Sequence, residues 1–143
     1  MKRGQRGVTL AELVVVIVIV AILAAIAVPQ FNQTAIDATW FHEQVRAGVR
    51  HAQRTAVAQR RSVFVLVEAG PQLALCYADP CGAARVTELA TGDPIVLGAP
   101  SGVALSISAS PLSFNGLGRP SSGATLSVGS RTITVNAETG YVQ

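Results

Sequence analysis

The apolar positions of this chain fall into three regimes. Over residues 8–28 they form a run broken by one charge, Glu12. Over residues 36–61 they recur at helical spacing. At 100° per residue Phe41, Val45, Gly48, Val49, Ala52 and Ala56 share one stripe, and Arg46, Arg50, Arg54 and Arg61 fall nearly opposite. From residue 62 onward, short apolar runs sit between turn formers. They predict strands over 62–67, 72–77, 95–97, 103–108, 112–114, 124–128 and 131–135, with a further extended stretch over 141–143. Gly70-Pro71, Asp93-Pro94, Asn115-Gly116 and Gly129-Ser130 supply turns, and Gly129-Ser130 between two alternating runs is a two-residue hairpin signal. Residues 80–94 and 118–123 read as loops. A long helix followed only by strands implies an α+β fold, with a mostly antiparallel sheet laid over the helix stripe.

The first regime has the length of a membrane span. About 21 residues at about 1.5 Å each give roughly 31 Å of helix, which matches the hydrocarbon core of a bilayer. The run is rich in β-branched residues, yet a lone segment in lipid must satisfy its backbone internally, and only a helix does so. Lys2, Arg3 and Arg6 precede it and keep the N-terminal end on the cytoplasmic side, so the rest of the chain faces outward. Pro29 follows the run, and there the helix would kink as it leaves the lipid. A helix continuing from residue 9 to residue 61 would make a rod of roughly 80 Å at about 1.5 Å per residue. Glu12 is the exception that needs a cause. A carboxylate at the centre of a membrane helix costs roughly 2–3 kcal/mol, less near its end, and a simple anchor has no use for one.

Gly7, Val8, Thr9, Leu10 and Glu12, followed by the apolar run and Pro29, resemble the class III leader of type IV pilins and type II secretion pseudopilins. The resemblance implies that a prepilin peptidase cuts between Gly7 and Val8. It also implies N-methylation of Val8, and pairing of Glu12 with a subunit's N-terminal amine during assembly. Val8 and Ala11 depart from the family's usual Phe and bulky aliphatic residue. Farther on, residues 113–120, the hairpin that follows, and Glu138-Thr139-Gly140-Tyr141 resemble the end of GspH/FimT-class minor pilins. The helix text over 50–61 and the Cys76, Cys81 pair are closer to the C-type minor pilin of the mannose-sensitive haemagglutinin (MSHA) pilus. The expected organisation is a leader (1–7), a transmembrane and assembly half-helix (8–29), an amphipathic half-helix (30–61) and a β-rich head (62–143).

The implied protein is a minor subunit, an initiator or tip component, of an MSHA-like type IV pilus. A type II secretion pseudopilus subunit and a FimT-like DNA-binding pilin are the alternatives. Its partners would be the prepilin peptidase, other major and minor pilins through the N-terminal helix, and the bacterial inner membrane before assembly. Two plainer readings of the N-terminus also stand. Ala25-Ile26-Ala27 fits the small-x-small site of a secretory signal, and an uncut anchor needs no site at all. The mature N-terminus separates them: Val8, Val28 or Met1.

Charge changes the list of partners. Three of the eleven Lys and Arg residues lie in the leader, and the eight that remain balance the eight acids, so the mature chain exerts no overall pull on polyanions. The Arg46, Arg50, Arg54 and Arg61 row reads either as a solvated or subunit-facing surface or as a track for DNA. No aromatic residues interleave with it to stack bases, so DNA is the less favoured partner. Cys76 and Cys81 lie in the exported part, where a disulfide persists; free thiols and a metal site are the other readings, and no His stands near to complete a tetrahedral set. His42 and His51, nine apart, project from opposite helix faces and read as surface residues. The carboxylates are scattered without pairing, and Gly116-Leu117-Gly118 lacks the strand-before, helix-after context of a phosphate loop. Neither an enzyme nor a cofactor is expected.

Overall fold

The structure, a computed structural model, describes residues 8–27 and 33–143, with the side chains of residues 25–27 left aside. The expected cleavage after Gly7, Lys2, Arg3 and Arg6, and the expected kink at Pro29 lie outside the described residues. The chain divides into two compact units, residues 1–33 and 34–143.

In the first unit, helix α1 (Leu10–Ala27) is apolar on every side except at Glu12. Thr9 stands at its N-cap: its hydroxyl accepts from the Glu12 N–H at 3.3 Å, and its carbonyl accepts from the Leu13 N–H at 3.1 Å. The described side chains from Val8 to Ala24 are all exposed. The 18 residues of α1 span about 27 Å against about 30 Å of hydrocarbon. No helix among the described residues is long and apolar enough to cross a membrane.

The second unit is α+β. Helix α2 (Gln33–Gln59) buries Phe41, Val45, Gly48, Val49, Ala52 and Ala56, the stripe that helical spacing predicts, together with His42. Seven strands follow: β1 (Val63–Glu68), β2 (Gln72–Cys76), β3 (Val96–Gly98), β4 (Leu105–Ile107), β5 (Leu112–Phe114), β6 (Ala124–Val128) and β7 (Arg131–Val135). They form two sheets, in the orders β3-β2-β1-β5 and β4-β6-β7, and every pairing is antiparallel. Val128 faces Arg131 across Gly129-Ser130, and Gly129 has φ 58°, which suits the first central residue of a type II′ hairpin.

One apolar core joins the helix stripe to the inner faces of both sheets through Val63, Val65, Leu73, Leu75, Leu112, Phe114, Leu126 and Ile133. A smaller cluster lies on the far face of β2, where Ala74 and Cys76 meet Cys81 under Phe64, Leu66 and Val96. Because β2 is covered on both faces, its sequence is a continuous apolar run rather than an alternation. Cys76 and Cys81 form a disulfide with 5.3 Å between their Cα atoms, closing the loop that covers that face. Arg85 follows this loop and holds both carboxylate oxygens of Glu68 at 2.9 and 3.0 Å.

Helix α2 ends in a Schellman arrangement. The Arg61 N–H reaches back to the Ala56 carbonyl at 3.2 Å and the Arg60 N–H to the Val57 carbonyl at 3.3 Å. Arg60 itself occupies the left-handed position, with φ 50°, where glycine is usual. The extended stretch over 141–143 does pair. Thr134 and Gln143 exchange both backbone hydrogen bonds, and Val142 bridges Val135, so the outer edge of β7 is covered.

Candidate functional site

The described residues to which the leader resemblance gives roles, Val8 and Glu12, lie at the start of α1. Thr9-Leu10-Ala11-Glu12 has the spacing of a capping box, in which a hydroxyl at the N-cap serves the N–H three residues on. Only that half of the box is closed, since the Glu12 carboxylate makes no hydrogen bond or ion pair among the described residues. Its oxygens remain available to a partner. Val8, the proposed new N-terminus, lies four positions away and is exposed.

The four arginines do not form one solvent-facing track. Arg46 is half-buried, with Nη1 3.6 Å from Glu43 Oε2 and Nε buried without a hydrogen-bond partner. Arg50 donates from Nη2 to the Val142 carbonyl at 2.8 Å, which fixes the C-terminal stretch to the helix. Arg61 lies beyond the end of α2, outside the helical spacing that placed it in the row, and its guanidinium sits 3.8 Å from the centroid of the Tyr77 ring. Arg54 is exposed and lines a cleft described below. The histidine reading needs correction at one position. His42 is buried, with Nε2 3.4 Å from the Thr132 carbonyl in β7 and Nδ1 3.3 Å from Glu43 Oε1. The helical wheel places it beside the Phe41 stripe, close enough for β7 to cover it. His51 is exposed. No group of His, Cys, Asp and Glu that could hold a metal occurs among the described residues.

The C-terminal motif acquires a structural role that sequence reasoning missed. Two similar loops close against the end of α2. In the first, the Asn115 side-chain oxygen accepts from the Leu117 and Arg119 N–H groups; in the second, that of Asn136 accepts from those of Glu138 and Thr139. Gln53 on α2 donates to a carbonyl of each loop, Gly118 at 2.8 Å and Thr139 at 3.3 Å, and an Arg119–Glu138 ion pair links the loops directly. Gly116 lies so close to the helix end that a methyl group there would stand 2.8 Å from the Arg60 carbonyl carbon. At Gly140, with φ 69°, a methyl group would stand 2.6 Å from the Gly118 carbonyl oxygen. Asn115-Gly116 was the visible signal; Asn136, which is followed by Ala137, and the shared partner Gln53 were not.

On the other flank of α2 a cleft of about 680 Å³ opens between the helix and residues 88–97. Its helix wall carries Gln44, Ala47, His51 and Arg54, and its other wall Glu88, Asp93 and the apolar series from Pro94 to Leu97. A second hollow of about 280 Å³ continues it past His51 towards Gln59 and Leu89.

With this geometry in place, comparison with known proteins is informative. Residues 2–28 match the family model of the prokaryotic N-terminal methylation motif. Two crystal forms of the type IV minor pilin FimU from Pseudomonas aeruginosa PAO1 resemble the structure. One aligns with TM-score 0.55 and 15% identity over 73% of this chain and 90% of that one, the other with TM-score 0.54 and 19% identity over 78% and 87%. The chain has a pilin fold behind an N-terminal methylation motif. The resemblance to type IV minor pilins and pseudopilins thus holds in the motif and in the fold. No curated protein matches the sequence. In this pilin-like chain the cleft and the paired asparagine loops belong to the globular unit, and the residues matched by the motif include the helix that carries Glu12.

Proposed function

We propose that this chain is a minor subunit of a type IV pilus of the MSHA-like kind, acting at initiation or at the tip. The carrying observation is the methylation motif over residues 2–28 in the same chain as a pilin fold. In this reading the apolar run over 8–28 inserts into the inner membrane with the globular unit in the periplasm. Prepilin peptidase then cuts between Gly7 and Val8, and Val8 is methylated. The processed subunit leaves the bilayer as its apolar helix packs among those of other pilins.

Glu12 is the pivot of that last step. A carboxylate and an amine each carry a desolvation cost in lipid that pairing relieves, so the pair selects the neighbour and sets the axial register. The capped first turn supports this: the Thr9 hydroxyl fixes the backbone at Glu12 while leaving its carboxylate unengaged. The test is in two parts. Mass spectrometry of the exported protein is expected to find methylated Val8 at the N-terminus; Val28 or Met1 there would refute the processing. Glu12→Ala is expected to be cleaved normally and to fall at least about tenfold in sheared filaments, the effect of a lost buried charge partner. Normal incorporation of that variant would remove the role of Glu12.

A further inference from the structure

The sheets of the globular unit have edges that differ in how they end. The outer edge of β5 is closed by the chain itself: Asn115 donates to the Arg119 carbonyl, Ser121 donates to that of Ser113, and Pro120 bridges Phe114. The outer edge of β7 is closed by the stretch that ends at Gln143. The edge at β3 is open. Leu75 donates to the Ile95 carbonyl and Ala99 to that of Pro71, so the alternation of an antiparallel ladder turns the N–H and C=O groups of Val96 and Gly98 away from β2. No backbone hydrogen bond from these two residues to another segment occurs among the described residues.

This open edge borders the 680 Å³ cleft, where the apolar series from Pro94 to Leu97 lies beside charges of opposite sign on the two walls. His51 and Arg54 stand on the helix side and Glu88 and Asp93 on the other, and none of the four takes part in an ion pair among the described residues. Unpaired strand groups beside an apolar wall are what an extended polypeptide needs for β-augmentation, with side chains entering the cleft alternately. The walls add a charge requirement: an acidic group towards α2 and a basic group towards 88–93.

We propose that this cleft docks an extended segment of a different subunit of the filament, which adds a strand to β3 and carries those two charges. The inference rests on the filament reading above. A second copy of this chain does not fit as donor: its β5 and β7 edges are closed by its own chain, and its edge strands β3 (Val96–Gly98) and β4 (Leu105–Ile107) carry neither of the two charges.

The experiment places a photo-crosslinking amino acid at Pro94 of the full-length chain in cells that assemble filaments. An adduct with a second filament subunit is expected. Gly98→Pro removes an outward-facing N–H where added atoms meet open space, and it is expected to lower that adduct at least about fivefold, the effect of losing one backbone hydrogen bond. Gly98→Ala, which keeps the N–H, is expected to retain it. Four results would overturn the proposal: no adduct although the chain is present in filaments, an adduct only with another copy of the chain or with a protein outside the filament, an adduct unaffected by Gly98→Pro, or equal loss in Gly98→Ala. Absence of the unmodified chain from filaments is a different result, and it would sink the filament reading itself.

Discussion

At the scale of single residues, one tightly constrained contact in the globular unit is made by a residue with no side chain. Gly116 approaches the backbone of Arg60, so a methyl group would meet the carbonyl carbon at 2.8 Å, the Cα at 3.0 Å and the oxygen at 3.1 Å. All three atoms belong to a helix terminus whose geometry is fixed by its own hydrogen bonds, so the neighbour cannot rotate away as a flexible side chain would. Gly116→Ala is therefore expected to destabilise the unit by about 1–3 kcal/mol, in the range of overpacking substitutions. Urea unfolding of the full-length chain in detergent checks it, and a midpoint equal to that of the unmodified chain would show that the loop relaxes without cost. Thr9 is the corresponding residue in α1. Thr9→Ala should cost about 1 kcal/mol of local helix stability, the usual value of an N-cap. Because that change leaves the Glu12 carboxylate in place, the filament defect should be much milder than that of Glu12→Ala. Equal defects in the two variants would mean that Glu12 acts by shaping the helix start.

At the scale of elements, α2 is held on two flanks by different means. His42, Arg50 and Gln53 join one flank to β7, the C-terminal stretch and the asparagine loops, whereas the other flank is left to line the cleft. The end of the helix is stabilised by a Schellman motif built on Arg60 in a left-handed conformation. Arg60→Gly keeps those hydrogen bonds and relieves the Cβ crowding, so it is expected to stabilise the unit by about 0.5–1 kcal/mol. The same urea titration reads this gain as a higher midpoint; a lower one would show that the exposed Arg60 side chain contributes more than its backbone loses. The buried stripe of α2 and the turns were legible because helical periodicity and Gly, Pro and Asn pairs are local properties of sequence. The strand at 103–108 shortened to Leu105–Ile107, the residues that stand in register opposite β6, while Ser108 bonds to Thr125 through its N–H and its hydroxyl. Burial of His42, the meeting of Asn115 and Asn136 on Gln53, and the left-handed Arg60 were not legible. Each depends on which distant segment lands against the helix. The Thr9 cap was visible as a Thr-x-x-Glu spacing, but the charge of Glu12 in an apolar run drew the reading to assembly alone.

At the scale of the whole molecule, charge and burial together limit what the chain can hold. Without Lys2, Arg3 and Arg6, which the proposed cleavage removes, eight arginines face eight acids, so long-range attraction for a polyanion is weak. The arginines that spacing grouped together are divided by the fold: Arg46 beside Glu43, Arg50 on the Val142 carbonyl, Arg61 over Tyr77 and Arg54 on the cleft wall. A duplex would have to draw Arg46, Arg50 and Arg61 out of contacts that hold α2 and its C-terminal neighbours together. Each phosphate contact releases counterions, with log K falling by about 0.9 per contact for each unit of log salt, so a track of three or four arginines would show a steep salt dependence. The purified mature chain is expected to leave the mobility of duplex DNA unchanged even at about 10 mM salt, where such attraction is least screened. Retardation at that salt, lost as salt rises and abolished by Arg54→Ala, would reverse this conclusion. It would place a nucleic-acid track on the cleft flank of α2, whose wall Arg54 lines.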